Sequence, residues 1–113
     1  MKIINDKISV AELNEMAEKM FGDFVKAVVD IDKKIMAVDS ELHSDEEALL
    51  IEKGSKQKDL WGINIFPKIK AENRIDFDSM INLRPAQANR SRSVESPQIR
   101  KKINEIVNGL VAE

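Results

Sequence analysis

A chain of 113 residues with no cysteine and a formal net charge of −2 at pH 7 is long enough for one domain with a single core, and it forms neither disulfides nor thiolate metal sites. No apolar run approaches the roughly 20 residues that a membrane-spanning helix needs, and the charge balance is unlike the basic footprint of a general nucleic-acid binder. We therefore expect a cytoplasmic protein with no membrane and no nucleic-acid partner.

The first part of the chain predicts a helix behind a short lead. Ser9 and Glu12 have the spacing of a capping box, apolar residues then recur at helical intervals, and Gly22 is a suitable residue to end the helix. The pattern of residues 1–7 leaves two alternatives open, a short strand or a loose arm.

Two strands and a short helix follow. Residues 24–31 and 35–42 alternate with a period of two, which predicts an antiparallel hairpin. Ser44 and Glu47 repeat the capping-box spacing and predict the start of a short helix, and Gly54 is a suitable residue to end it.

The second half predicts two more strands and a terminal helix. Residues 60–66 form the third predicted strand, which Pro67 ends. Residues 74–83 show the clearest alternation in the chain, and Pro85 ends this strand two residues later. Ser96 and Pro97 are typical of a helix start, and a strong apolar face follows them.

This order of elements predicts an α+β fold in a single domain over residues 1–113. Because strands arrive in runs, the sheet is expected to be antiparallel, with about four strands. The N- and C-terminal amphipathic helices cover one face, and the short helix between strands two and three lies at an edge. The other face, which mixes polar and apolar residues, is either solvated or a partner surface.

An arginine-rich loop is the main candidate site. Residues 77–94 hold three of the five arginines and no acid after Asp78, and guanidinium groups suit carboxylate and phosphate. We therefore predict an anionic small molecule held by charge-assisted hydrogen bonds, without covalent chemistry. The candidate ligand-binding residues are Arg84, Arg90, Arg92, Asn82, Gln87 and Asn89.

The same loop has a structural interpretation. It is long and contains no glycine, so its backbone groups need fastening. The arginines would then bind backbone carbonyls and acids elsewhere, including the acidic run over residues 39–47, in one subunit or across a dimer.

Asp39, Glu41 and His43 form a second, weaker candidate. They have strand spacing and would face one side if the strand persisted, which suits a divalent metal and a metal-assisted hydrolase. The chain has one histidine, however, so a three-histidine zinc site is impossible within one subunit. Structural acids and helix capping explain the run better than a metal site does, and we assign neither a metal nor a catalytic residue.

A third group lies in the strand over residues 60–66. Trp61 is the single tryptophan and fits a core anchor better than a ligand-stacking surface. Gly62 indicates a bulge or a close approach of another segment, and Asn64 is expected to hydrogen-bond when buried. Together with Asn82, Asn64 would line the polar face of the sheet.

No cofactor is predicted. The four glycines are isolated, which excludes a P-loop and a dinucleotide fingerprint. Three functions therefore remain: an anion-binding protein, a structural or interaction protein that forms a homodimer through the open sheet face, and an enzyme.

Two segments carry a resemblance to known proteins. Residues 60–64 (LWGIN) and 77–92 (FDSMINLRPAQANRSR) resemble a family of small prokaryotic proteins catalogued as a domain of unknown function, and the likeness extends to residues 41–43 and 54–57. It implies no activity. Ala88 departs from the family pattern, which has a glycine before the asparagine, so the resemblance does not carry a special backbone geometry to this position.

Overall fold

The computed structural model describes residues 1–113 and confirms an α+β fold with an antiparallel sheet. No helix in it has the length and apolar content that crossing a membrane requires. The elements are β1 (Lys2–Ile4), β2 (Ile8–Ser9), α1 (Val10–Lys19), β3 (Val25–Asp30), β4 (Ile35–Val38), α2 (His43–Glu52), β5 (Leu60–Ile65), β6 (Ile75–Asp76), α3 (Pro97–Leu110) and β7 (Val111–Ala112).

The main sheet has five strands, in the order β1-β4-β3-β5-β6. The fifth is β1, which pairs antiparallel with β4, so the start of the chain is a strand and not a loose arm. β2 and β7 form a separate parallel pair. Ser9 caps α1 as predicted, accepting a hydrogen bond from the Glu12 N–H at 3.0 Å.

One face of the sheet carries the main core. Alternate residues of β3, among them Ala27 and Val29, are fully buried against Leu13 of α1 and Ile103 of α3. Burying a larger side chain such as Val29, Leu13 or Ile103 contributes about 1.5–3 kcal/mol. The prediction that the first and last helices share one face is therefore confirmed.

The opposite face is covered, so the prediction of an open sheet face is wrong. Val28, Ala37 and Leu60 pack there against Leu50 of α2, with Ile81 at the margin. Helix α2 lies across this face and not at an edge, because its short apolar side needs the same burial as the longer helices. The predicted homodimer therefore has no open sheet face through which to form. Dimerisation through another surface stays a prediction.

The predicted strand over residues 35–42 ends early. β4 stops at Val38, Asp39 takes a left-handed φ of +71°, and α2 begins at His43. Asp39, Glu41 and His43 therefore share no strand face. Leu42, and not Ser44, occupies the N-cap position, and it provides no side-chain cap.

The fourth predicted strand, residues 74–83, is mostly wrong. Of these residues, only Ile75 and Asp76 (β6) pair with β5, and the chain then folds over the second sheet face into a 3₁₀ turn, Met80–Asn82. The period-two pattern misled because Met80 and Leu83 are exposed. The Ser79 hydroxyl accepts a hydrogen bond from the Ile81 N–H, and this local bond favours the turn over a sheet ladder.

Candidate functional site

Arg84 fastens the arginine-rich loop to the body of the protein. Its side chain is 9% exposed and donates to Ile81 O at 3.0 Å, Gln57 O at 2.9 Å and the Glu47 carboxylate at 3.2 Å. The guanidinium also lies 4.9 Å from the Trp61 ring centre. Burial lowers the pKa of Arg84, and Glu47 opposes that change. The acidic run and the loop therefore meet at this ion pair.

Asn82 stands in for a neighbouring strand. Its buried side chain accepts from the Gly62 N–H at 2.8 Å and donates to Gly62 O at 2.9 Å and to Arg92 O at 2.9 Å. A Cβ on Gly62 would lie 2.5 Å from Ser79 Cβ. The expected close approach at Gly62 is thus present, with Asn82 replacing a ladder residue of the absent strand.

Asn89 holds the loop from inside. Its side-chain amide donates to the backbone carbonyls of Asn82 and Ser93, both at 2.7 Å, and its Oδ1 accepts from the Glu95 N–H. The preceding residue, Ala88, adopts a left-handed φ of +60°. The special backbone geometry expected of glycine is therefore kept by alanine.

Gln87 and Arg90 lie on the surface of the loop. The Gln87 side chain donates to Lys58 O at 3.1 Å. The Arg90 guanidinium makes neither a hydrogen bond nor an ion pair, although its backbone N–H donates to Glu95. The six candidate residues thus separate into a buried group, a surface pair and Arg92.

Arg92 lines a cleft of about 340 Å³ beside the start of α2, which we call the α2 cleft. Its polar lining consists of Lys26, His43, Ser44, Asn64, Asp78, Ser79 and Arg92. Apolar atoms of Phe24, Leu42 and Met80 also line it. The cleft lies where β3, β5, α2 and the segment after β6 meet.

Arg92 and Asp78 form one wall of the α2 cleft. The guanidinium donates from Nε to Asp78 Oδ1 at 2.8 Å and from Nη2 to Oδ2 at 3.2 Å, a side-on, two-bond pair. Both side chains are about half exposed. Asp78, the one carboxylate in the lining, is therefore already matched by a cation.

The first turn of α2 forms the opposite wall. The backbone N–H groups of His43 and Ser44 make no hydrogen bond within the chain, because Leu42 provides no cap. Such groups carry the positive end of the helix dipole. Two residues that line the cleft therefore carry unpaired backbone donors.

His43 is neutral in the α2 cleft. Its Nε2–H donates to Ile63 O at 2.7 Å, which leaves Nδ1 as an acceptor. Burial lowers the pKa of His43 and the Lys26 charge adds to this, against the opposing effects of the Ile63 carbonyl, Asp78 and Asn64. His43 accordingly contributes a neutral ring and no positive charge.

Lys26 and Asn64 are cross-strand partners at the floor of the cleft. The Lys26 ammonium lies 5.0 Å from the Phe21 ring centre and pairs with no carboxylate. The Asn64 amide donates to Asp76 and to Asp78 O, while its buried Oδ1 has no partner. Lys26 is therefore a cation without a counter-ion inside a lined cavity.

The sequence reasoning missed Lys26. The register that sets it opposite Asn64 was not readable from the chain. Ser44 was interpreted as a helix cap. For the second candidate set, Asp39, Glu41 and His43, the structure contains no group of three such side chains able to hold a metal ion.

Comparison with known proteins identifies a family and nothing beyond it. A family model described as "Protein of unknown function (DUF5674)" matches residues 2–110. No curated protein and no solved structure matches the chain.

Proposed function

The chain belongs to the DUF5674 family, whose description assigns no function, and we propose that it binds an anionic small molecule, a carboxylate or phosphate, in the α2 cleft. One observation carries the proposal. Donors from three separate segments, namely Lys26, Arg92 and the first turn of α2, converge on a cavity whose one carboxylate already has a partner.

The binding would be non-covalent. An anion in the cleft would accept from the Lys26 ammonium and from the free N–H groups of His43 and Ser44, where the helix dipole adds to the attraction. Arg92 would contribute the guanidinium N–H groups that Asp78 does not use. Apolar atoms of Phe24 and Met80 favour a ligand with an apolar part.

This proposal moves the anion site from the loop as a whole to one of its residues. Arg84, Asn82 and Asn89 use their side-chain donors within the protein. Arg90 and Gln87 do not line the α2 cleft. Of the six residues that the sequence favoured, Arg92 is the one that remains in the binding role.

The first test is a thermal-unfolding screen with phosphate and small mono- and dicarboxylates at constant ionic strength. A ligand at a hundred times its Kd adds about 2.7 kcal/mol to the folded state. We expect that gain in the wild type and in Lys101→Met, an exposed lysine on α3, and expect Lys26→Met to lose it. Methionine keeps the unbranched stem of lysine.

A second variant separates binding from stability. Leu42 is 53% exposed at the uncapped N-cap position with β-region dihedral angles. Leu42→Asp would cap α2 from within, adding about 1 kcal/mol of stability, while its carboxylate occupies the N–H groups that the anion needs. Higher stability with weaker anion binding supports the site. Unchanged binding in both Leu42→Asp and Lys26→Met would refute it.

A further inference from the structure

Arg74 is a buried arginine whose hydrogen-bonding capacity is only partly used. It is 2% exposed and lies immediately before β6. Its Nη2 donates to Glu113 Oε1 at 2.6 Å, while its buried Nε has no partner. Buried guanidinium N–H groups are normally satisfied, so the free Nε–H needs an explanation.

A second arginine in the same chain shows what the Nε/Nη2 edge of a guanidinium can bind. In Arg92, Nε and Nη2 donate together to the two oxygens of Asp78. Those two nitrogens share one edge of the guanidinium and match the spacing of a carboxylate. At Arg74 the corresponding edge is half occupied, because Glu113 reaches only Nη2.

The partner of Arg74 is well placed to leave. The Glu113 side chain is 71% exposed, whereas the Arg74 side chain is 3% exposed. An exposed carboxylate gives up a contact at little cost, because water solvates it. The Arg74 Nε, by contrast, is buried and has no acceptor while Glu113 occupies only Nη2.

The surroundings of this pair are cationic and open. Arg74 and Glu113 line a cleft of about 510 Å³ together with Lys68, Lys70 and Glu72. Neither lysine pairs with an acid. The cleft shares no lining residue with the α2 cleft.

We propose that the Nε/Nη2 edge of Arg74 is a second anion site, for a carboxylate or phosphate group, and that the Glu113 side chain is its internal competitor. An incoming oxyanion engages both nitrogens of the edge, satisfies the buried Nε–H and displaces Glu113 into solvent. Lys68 and Lys70 raise the local anion concentration around the entrance.

The test follows the arginine Nε–Hε signals by ¹H–¹⁵N NMR in the full chain, during titration with inorganic phosphate and with succinate at matched ionic strength. The Arg74 signal is assigned by its absence in Arg74→Lys, or by its movement in Glu113→Gln if the lysine variant does not fold. We expect a saturable shift of this signal. The two titrants distinguish a tetrahedral oxyanion from a planar carboxylate.

Removing the competitor provides the decisive comparison. Glu113→Gln is expected to bind the titrant about two- to fivefold more tightly, the range that loss of one exposed ion pair allows. Glu52→Gln removes the same charge from an exposed position at the end of α2 and is expected to bind like the wild type. Lys26→Met, in the other cleft, should leave the Arg74 response unchanged.

Two outcomes would overturn the proposal. No saturable shift of the Arg74 signal in either the wild type or Glu113→Gln would show that the pair is only a structural link between β7 and the segment before β6. An equal gain in Glu52→Gln and Glu113→Gln would show that net charge, and not competition at this edge, sets the anion affinity.

Discussion

Arg84 and Arg92 belong to one segment, yet they are surrounded in opposite ways. Arg84 is buried between Trp61 and α2, and it donates to two carbonyls and a carboxylate. Arg92 is half exposed and shares a cleft with Lys26, which has no counter-ion. Composition does not distinguish them, since both are arginines within the same run of polar residues.

The difference shows how an arginine that stabilises the fold can be distinguished from an arginine at a binding site. In the Arg84 region the donors of the side chains are matched by acceptors of the chain, so an external ligand would gain nothing there. In the α2 cleft, an ammonium and two backbone N–H groups are left unmatched. Unused capacity, and not the number of polar residues, identifies the binding region.

The largest expected effect is at Asn82, in the region that Arg84 fastens to the body of the protein. Asn82→Ala removes three hydrogen bonds and leaves the buried Gly62 N–H and Gly62 O without partners, whereas Arg92 O keeps its bond from the Ser79 N–H. We expect a loss of about 4 kcal/mol in the free energy of unfolding, measured in urea. Asn104→Ala, at a partly exposed asparagine on α3, should change it by less than about 0.5 kcal/mol. A loss at Asn82 as small as this would mean that its bonds are not holding the segment.

A matched pair of arginine variants tests whether Arg84 holds the loop to the body of the protein. Arg84→Met leaves the mostly buried Glu47 carboxylate and the Ile81 carbonyl unpaired, whereas Gln57 O keeps its bond from the Leu60 N–H, and we expect a loss of about 3 kcal/mol. Arg90→Met removes a surface guanidinium without side-chain partners and should be near neutral. Unfolding followed by the fluorescence of Trp61 reports both. Equal stability of the two variants would break the comparison.

Glu46, one turn after His43 on α2, allows a pH test near the α2 cleft, where several hydrogen-bonding groups lack partners. The side chain is fully buried and neither carboxyl oxygen has a partner. Burial raises its pKa to about 10, which the nearby Ser40 backbone and the Lys26 charge only partly offset. Between its unfolded pKa of 4.5 and about 10, the unfolded chain releases this proton while the folded protein retains it.

The wild type should therefore lose stability relative to Glu46→Gln as the pH rises, by about 1.4 kcal/mol per pH unit within that window. Urea unfolding at pH 5, 6, 7 and 8 measures the difference. Glu52→Gln, an exposed acid at the end of the same helix, should run parallel to the wild type. If Glu46→Gln also runs parallel, the carboxyl is ionised in the folded protein.

The smallest effect sharpens the cleft side of the comparison. Asp78→Asn removes the one acid of the α2 cleft and frees the Nε/Nη2 edge of Arg92. Because the pair is half exposed, we expect no measurable change in the unfolding midpoint. Anion affinity should rise by about two- to fivefold, opposite in sign to Lys26→Met. Weaker anion binding in Asp78→Asn would argue that Asp78 orients Arg92 for the ligand.

Local signals in the sequence were sufficient for several elements. The Ser9 cap with its apolar stripe, the hairpin alternation and the Ser96–Pro97 start of α3 lie within short windows, where periodicity and caps act directly. Gly62 was predicted to mark either a bulge or a close approach of another segment, and the structure has the close approach.

The failures share a physical cause. The predicted strand over residues 74–83 had the right period, but Asn82 satisfies the edge of β5 with one side chain, and the segment packs over the sheet face. The acidic set of Asp39, Glu41 and His43 depended on a strand that Asp39 ends with a left-handed turn. In both cases long-range packing overrode a local pattern.

The sequence by itself determined an antiparallel α+β domain, the two helices on one face and the residue types from which a site would be made. Only the tertiary structure decided that α2 covers the second face, that Arg84 is used internally and that Lys26 comes to lie beside Arg92. Whether a donor is free depends on the acceptors that distant parts of the chain bring to it. That pairing exists only after the chain has folded.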